Sequence, residues 1–353
     1  MDGKRNASSL RWIHRGLLGL WLIVPGCGWL GGEAEEQAGN DVVIPGLDDI
    51  NSDQDEAEGE PIPVAPEGRN LALKLKVGDR FPLQKTVQQS VTQSSAEGNL
   101  TSESLLEMML EINVEEVQPD RTRMQVRYHR IRYYQNVDGE RVVYDSEKDT
   151  HALDPSVAAY HGMVNNGFSF WVGPQNGIQE LVGFEDFLKR CFRSITPAER
   201  QAALNRIASS TGDQGVANFI DDSIGLLPYG AEEESDGKSG IAAGDVWTRA
   251  RRVELPLPMQ ISDKCLISDL NDKIATIDIH GTIGPVTNAI GPASSEQQSM
   301  QVEIRGGTST GQCLIDRDSG LPIQSKIERI IDMNVRLESG EQLAQQKQIV
   351  TTI

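Results

Sequence analysis

Apolar and polar residues alternate along most of the chain, which predicts β-strands. From residue 71 to residue 87, apolar side chains recur at about every second position, the period of a strand with one buried face. Residues 107–117 and 123–134 continue the pattern, and Asp138-Gly139 is a typical hairpin turn into another strand. We therefore expect an antiparallel meander in this part of the chain.

Helical signals replace the alternation between residues 154 and 225. Asp154-Pro155 and Thr196-Pro197-Ala198-Glu199 have the composition of helix N-termini. Apolar residues recur at helical spacing over 184–192 and 202–208, which predicts two amphipathic helices. A predicted hairpin interrupts this segment, with strands at 168–172 and 178–182.

Strand periodicity returns after residue 240 and continues to the C-terminus. It predicts a second meander, with strands at 245–257, 265–270, 273–280, 300–305, 312–316, 323–335 and 345–353. The segments Val77-Gly78-Asp79-Arg80-Phe81 and Ala243-Gly244-Asp245-Val246-Trp247, one before each meander, are similar. The similarity is either a pseudo-repeat or ordinary turn chemistry, and the sequence leaves both readings open.

Two meanders on either side of a helical segment predict an α+β fold. We expect a curved antiparallel β-sheet from two β-meanders, with a helical insert at about residues 154–225 packed on it. Residues 69–353 are long enough for one such domain, and two domains are the alternative.

The N-terminal residues have the order of an export signal: basic, apolar, small, then cysteine. The apolar stretch is too short to span a membrane as a stable helix. Its last residues, Val24, Pro25, Gly26 and Cys27, resemble the lipobox of bacterial lipoproteins, although Pro25 departs from the usual small residue. The resemblance implies that residues 1–26 are a signal peptide and that Cys27 carries a lipid. An uncleaved anchor and a signal cut further along are the alternatives.

The segment that follows is strongly acidic. Residues 28–68 contain twelve Asp or Glu and neither Lys nor Arg, so we expect residues 27–68 to form a disordered tether. Residues 1–26 carry four Lys or Arg and one Asp, and removing them changes the formal charge from -19 to -22. A chain this acidic repels nucleic acid, and we predict no nucleic-acid partner.

Three cysteines remain besides the one in the lipobox. Cys265 and Cys313 lie in predicted strands and Cys191 in a predicted helix, so a disulfide between the first two is one reading and separate buried thiols are the other. The histidines have no paired spacing. Residues 49–60 match the ligand positions of a calcium loop but lack its turn glycine and its helices. We predict neither a metal nor another cofactor.

One motif for catalysis is present in the second meander. Residues 307–311, Gly-Thr-Ser-Thr-Gly, match the nucleophile elbow of the α/β-hydrolases. That fold places its catalytic histidine after the serine, whereas the last histidine here is His280. We interpret the motif as a hairpin loop and predict that the protein is not an enzyme.

The lipobox, the acidic tether and the β-rich body together resemble a family of uncharacterised bacterial envelope lipoproteins, with Gly78-Asp79 and Gly244-Asp245-Val246-Trp247 as the most similar pieces. In outline the body also looks like the periplasmic lipoprotein-carrier fold, a curved antiparallel sheet around helices that shelters acyl chains. These resemblances imply a protein of the cell envelope, lipid-anchored to a bacterial membrane on its periplasmic or cell-surface face, with no known catalytic residues.

The leading functional hypothesis is a membrane-anchored, non-enzymatic binding module. An apolar ligand or lipid would lie between the sheet and the helices around residues 184–207, although the same residues would serve as an ordinary core. A protein–protein interaction or structural role in the envelope is the second hypothesis. An enzyme whose catalytic groups converge from distant positions is the third.

Overall fold

The computed structural model contains an antiparallel sheet of twelve strands and, within the described residues, two short helices. The structure describes residues 71, 73–95, 98–149, 157–173, 176–197, 200, 241–253, 258–286, 300–337 and 341–353. The strands are β1 (Arg80–Ser95), β2 (Gly98–Val117), β3 (Thr122–Val137), β4 (Glu140–Asp145), β5 (Gly167–Val172), β6 (Ile178–Val182), β7 (Val246–Val253), β8 (Met259–Leu270), β9 (Ile274–Pro285), β10 (Met300–Asp316), β11 (Pro322–Leu337) and β12 (Gln342–Thr352). The helices are α1 (Ala158–Met163) and α2 (Phe184–Cys191).

The first and last strands of the chain lie side by side in the middle of the sheet. The strand order is β6-β5-β3-β2-β1-β12-β11-β10-β9-β8-β7, and β4 pairs with residues 132–137 of β3. Strand β1 pairs with β12 from Thr86 opposite Thr352 to Ser94 opposite Ala344. This pairing joins the two predicted meanders into one continuous sheet.

One face of the sheet is buried and the other is largely polar, as the alternation predicts for an antiparallel sheet. In β1, Val87 and Val91 are buried, whereas the intervening Gln88 is exposed. The register carries this division across the sheet, because Val87 lies opposite Leu106 of β2 and Thr351 of β12. We call the buried side the inner face.

Both helices pack on the inner face over β3 and β5. Tyr160 of α1 and Phe187 of α2 belong to the same apolar core as Tyr128 and Phe168. The ring centroid of Phe187 lies 6.0 Å from that of Tyr128 and 5.0 Å from that of Phe168. In the described part of the chain, no helix is long and apolar enough to cross a membrane.

The two helices approach each other at the backbone. A Cβ atom at Gly162 of α1 would collide with the carbonyl oxygen of Cys191 in α2, so only glycine fits there. Asn166 joins the helices to β5, because its amide donates to the carbonyl of Gly162 at 3.2 Å and its Oδ1 accepts from the N–H of Gly167 at 2.9 Å and from Nε of Arg190 at 2.7 Å.

The predicted α+β fold is wrong, because the described residues are mostly β-strand, with twelve strands in one sheet and two short helices. Strands β5 and β6 lie in the predicted helical insert, and β5 pairs with residues 122–127 of β3. The hairpin therefore widens the sheet instead of covering it. The described helices have six and eight residues, and α2 confirms the helix predicted at 184–192. The helix predicted at 202–208 lies outside the described residues. The fold is mainly β, an open curved sheet.

The interpretation of residues 307–311 as a hairpin loop is also wrong. They lie within β10, with β9 paired on one side and β11 on the other. A bulge between Ile304 and Gly306 interrupts the pairing with β11 just before them. Glycine, serine and threonine are typical of turns, but hydrogen bonding to two neighbouring strands overrides that local preference.

Candidate binding site

A band of polar side chains crosses the inner face between apolar regions. All of its members occupy inner positions, as the strand register shows, and we call this band the polar lane. Its members are Gln89, Gln93, Ser102 and Ser104 on β1 and β2, Ser309, Arg329, Gln345 and Lys347 on β10 to β12, and Arg249, Arg251 and Asp263 on β7 and β8.

Two adjacent rows of the register contain most of the polar lane. Side chains two residues apart on a strand share a face, so both rows point inward. The first row contains, from β2 to β7, Ser104, Gln89, Ile349, Arg329, Ser309, Gly281, Asp263 and Arg249. The second row contains Ser102, Val91, Lys347, Ile331, Gly307, Ile283, Ile261 and Arg251.

Several polar atoms of the lane are buried without a hydrogen-bond partner in the described part of the chain. Neither amide atom of Gln89 has a partner, and neither do the hydroxyls of Ser102, Ser104 and Ser309. Gln89 is 1% exposed and Ser309 is 0% exposed. A buried polar group that makes no hydrogen bond costs about 1–3 kcal/mol, so native cores contain few of them.

The lane continues toward the far end of β1 as a pair of amides. Nε2 of Gln345 donates to Oε1 of Gln93 at 3.1 Å. Nε2 of Gln93 and Oε1 of Gln345 have no partner within the described residues. The pair therefore presents one donor and one acceptor at a buried position of the inner face.

The charge of the lane is opposite in sign to the charge of the chain. Its members include four cations and one carboxylate, whereas the chain has a formal charge of -19. The carboxylate belongs to Asp263, whose Oδ2 lies 3.7 Å from a guanidinium nitrogen of Arg251. Burial lowers the pKa of Lys347 from 10.5 to about 8. The lane is therefore a buried, cationic strip in an acidic protein.

Apolar rows border the lane on both sides. On one side, Val87, Leu106 and Tyr133 occupy the inner positions of β1 to β3, in the row that also contains Cys265 and Trp247. On the other side, the inner positions are apolar at Met333, Ile304 and Met259. The inner face thus combines a polar strip with extended apolar surface.

Glycines line the lane where β9 and β10 cross it. A Cβ atom at Gly307 would collide with the carbonyl oxygen of Ile330, and one at Gly281 would collide with the Asp263 side chain. Only glycine fits at these positions, and backbone replaces side chains there. The polar groups of Ser309 and Arg329 therefore lie next to glycine positions, which carry no side chain.

The residues of the predicted lipid attachment site lie outside the described part of the chain. These are Cys27 and the cleavage flank Val24, Pro25 and Gly26. The acidic residues 49–60 lie outside it as well. Lipid attachment at Cys27 stays a prediction.

Cys265 and Cys313 are free, buried thiols in this structure. They lie on β8 and β10 with β9 between them, opposite Ile279 and Ile277 respectively. Strands two apart are separated by about 9 Å, more than the Cα distance of a disulfide allows, so the disulfide reading is not realised here. Burial raises the pKa of Cys265 to about 11 and that of Cys313 to about 12, so both thiols stay protonated at neutral pH.

The described histidines do not converge. Nδ1 of His161 in α1 forms a hydrogen bond with the hydroxyl of Tyr144 at 2.9 Å, and this bond connects α1 to β4. His129 lies in β3 and His280 in β9. Among the described residues, no group of three or more His, Cys, Asp or Glu is placed to hold a metal ion.

The polar lane was not predicted from the sequence, although each strand carries a trace of it. Glutamines interrupt the apolar alternation at positions 89 and 93, and Lys347 does so in β12. A polar residue at an apolar position indicates a buried polar group only when the face and the register are known. The spatial neighbours in this lane are up to 258 residues apart in sequence, as for Gln89 and Lys347.

The fold and the site define a class: a mainly β protein with one large antiparallel sheet whose buried face carries a cationic polar strip. Residues 119–322 match a family of unknown function, DUF6263, and the chain belongs to this family. The match extends from just before β3 to the first residue of β11 and so includes strands from both meanders. A comparison with curated proteins finds no match.

Three solved structures are similar to the chain at low identity. Lipovitellin, from a structure entitled "Lipid-protein interactions in lipovitellin", is 9% identical with a TM-score of 0.41, covering 78% of this chain and 25% of lipovitellin. An outer membrane channel from Pseudomonas putida F1 is 7% identical with a TM-score of 0.19, covering 84% and 98%. A DUF1329 family protein from Desulfovibrio piger is 7% identical with a TM-score of 0.12, covering 76% and 83%. The chain spans a quarter of the length of lipovitellin.

Proposed function

We propose that the protein is a non-enzymatic binding module that holds a lipid or another largely apolar ligand on the inner face of its sheet. One observation carries the proposal: buried polar atoms without partners in the described chain lie between extended apolar rows. A ligand with an apolar body and a polar end is complementary to such a surface, because it covers the apolar rows and completes the hydrogen bonds.

An ordinary core explains the apolar rows but not the lane. Hydrophobic side chains in the lane would fill the same space without the cost of desolvating hydroxyls and amides. Instead, Gln89, Ser102, Ser104 and Ser309 are polar and buried. Groups that cost stability in the folded protein are typical of binding sites, where a ligand compensates for them.

The dimensions of the apolar surface suit an acyl chain. On β2, the inner positions from Leu106 to Ile112 are apolar and extend over six residues, which is about 20 Å at 3.3 Å per residue. On β1 they lie opposite Val87, Leu83 and Phe81, and the buried Lys85 interrupts that apolar row. This is about the length of an extended long-chain acyl group.

Native mass spectrometry tests the proposal. The chain from residue 28 onward, purified without detergent, should carry a stoichiometric apolar molecule that organic solvent extracts. Gln89→Trp should fill the lane and abolish the additional mass, whereas Gln88→Trp, on the exposed face of the same strand, should retain it. A ligand-free mass, combined with no binding of added fatty acid or phospholipid, would contradict the proposal.

We further propose that a lipid on Cys27 anchors this module to a membrane of the cell envelope. The proposal rests on the sequence around Cys27 and on the acidic residues 28–68, which would separate the sheet from the membrane. In a bacterial host, labelled palmitate should be incorporated into the protein and Cys27→Ser should prevent it. Incorporation into the Cys27→Ser variant, or none into the unchanged protein, would exclude this attachment site.

A further inference from the structure

Four donors of hydrogen bonds occupy neighbouring inner positions on four consecutive strands in the middle of the sheet. They are Gln89 on β1, Lys347 on β12, Arg329 on β11 and Ser309 on β10. Ser309 lies directly opposite Arg329. Lys347 lies diagonal to both Gln89 and Arg329, because its own partners are Val91 and Ile331. Diagonal neighbours on a sheet lie within reach of long side chains.

All four donors are buried and point to the same side of the sheet. Their exposed fractions are 1% for Gln89, 5% for Lys347, 6% for Arg329 and 0% for Ser309. The amide of Gln89 and the hydroxyl of Ser309 make no hydrogen bond within the described residues. Arg329 and Lys347 also interact elsewhere in the chain, and an anion would add to those interactions.

We propose that the ligand of the inner face carries an anionic headgroup, a carboxylate or a phosphate, which binds among Gln89, Ser309, Arg329 and Lys347. This inference rests on the proposed function and names the chemical class of its ligand. A guanidinium and an ammonium supply the charge, and the amide and hydroxyl supply neutral donors. The apolar rows on both sides of the lane hold the remainder of the ligand.

The charges on neighbouring strands favour an anion over a cation. Asp263, on β8, is the carboxylate of the lane, and it lies 3.7 Å from Arg251. The row of Lys347 contains Val91, Ile331, Gly307 and Ile283 between Ser102 and Ile261, so these strands contribute no carboxylate to the row. Arg329 and Lys347 bring two positive charges to this part of the inner face, and a group of opposite charge makes the stronger hydrogen bonds with them.

The test compares two molecules that differ only in the headgroup. Equilibrium binding of labelled palmitate, labelled hexadecanol and labelled inorganic phosphate is measured on the full chain with Cys27→Ser at pH 7. We expect palmitate to bind at least about tenfold more tightly than hexadecanol, the ratio typical of one charge-assisted hydrogen bond. Lys347→Met and Arg329→Leu should each reduce the ratio of palmitate affinity to hexadecanol affinity by at least about fivefold.

Two further variants separate a loss of charge from a loss of folding. Lys347→Arg keeps the charge and should keep the preference for palmitate. Lys326→Met removes a cation from the exposed face of β11 and should change neither affinity. Thermal unfolding of every variant checks that the sheet is intact.

The outcomes distinguish the headgroup from the proposed function. Equal binding of palmitate and hexadecanol, unchanged by Lys347→Met and Arg329→Leu, would overturn the anionic headgroup and leave the apolar ligand in place. Binding of phosphate without either lipid would overturn both, since the site would then take a small anion. Binding of none of the three probes would also overturn both.

Discussion

The two halves of the sheet begin with the same turn but carry different inner faces. In front of β1, Gly78 donates its N–H to Val114 at 2.9 Å and Oδ2 of Asp79 accepts from the N–H of Lys76 at 2.8 Å. In front of β7, Gly244 donates to Ile267 at 2.8 Å and Oδ2 of Asp245 accepts from the N–H of Ala242. The geometry is that of a pseudo-repeat.

Beyond these turns the halves diverge. The inner face of β1 to β6 is rich in aromatic residues, and α1 and α2 pack on it through rings such as Tyr160 and Phe187. The inner face of β7 to β12 has isoleucines, the glycines at 281 and 307, and all four cations of the lane. The first half is packed against the two helices, and the second half carries the charged side chains of the lane, while the apolar rows extend over both halves. The similar turns therefore determine where β1 and β7 begin, and the inner side chains determine whether each half packs against helices or carries charge.

The largest effect should come from breaking the packed half. Phe168→Ala removes a ring whose centroid lies 5.0 Å from those of Phe184 and Phe187, and it should lower the free energy of unfolding by about 3–5 kcal/mol. Because β1 pairs with β12, we expect both halves to unfold in one shifted transition in urea. Val143→Ala, at an exposed position, is the control and should change stability by less than about 0.5 kcal/mol. Two separate transitions would contradict a single cooperative sheet.

A substitution in the polar lane should have a smaller effect on the free energy of unfolding, and of opposite sign. Lys347 has its pKa lowered to about 8, so its charged form is disfavoured in the folded protein at neutral pH by about 3 kcal/mol at most. Lys347→Met should therefore raise the free energy of unfolding at pH 7.

The lowered pKa of Lys347 also determines how its contribution to stability depends on pH. Between pH 8 and 10.5 the unfolded chain binds more protons at Lys347 than the folded chain, so this contribution to stability rises with pH. On the neighbouring strands, the described side chains that face Lys347 are Gln89, Val91 and Gln93 on β1 and Arg329, Ile331 and Met333 on β11, with Arg329 the charged one. The advantage of Lys347→Met should shrink above pH 8, as urea unfolding at pH 7 and pH 10 would measure. Lower stability of this variant at pH 7 would show that the ammonium group is net stabilising.

The smallest loss of stability is expected from substitutions in the two turns, and it tests whether the turns are equivalent. Gly78 has φ 92° and Gly244 has φ 96°, a conformation that costs a residue with a Cβ atom about 1–2 kcal/mol. Gly78→Ala and Gly244→Ala should thus destabilise the protein by similar amounts. Gly284→Ala, where a Cβ atom meets nothing within 4 Å, is the matched control. A difference of more than about 1 kcal/mol between the two turn variants would argue against equivalent roles.

Local signals in the sequence predicted strands better than they predicted architecture. The turn at Asp138-Gly139 and the hairpin of β5 and β6 are confirmed, because their determinants lie within a few residues. The helical insert failed because a capping residue indicates where a helix begins and not how much of a segment joins the sheet. Residues 307–311 failed because pairing with two strands outweighs the turn preference of glycine and serine.

The sequence by itself predicted the buried face of strands with clear alternation, such as β1 and β2, because alternation has a period of two and needs no partner. It did not do so in β7 and β10, where arginine, glycine and serine occupy inner positions. It also determined the acidic charge of the chain and the turns at Gly78 and Gly244. Only the tertiary structure decided that β1 lies beside β12, which places Gln89 next to Lys347. Register across a sheet depends on contacts between residues far apart in sequence, and a polar residue becomes part of a site only when such contacts bury it beside others.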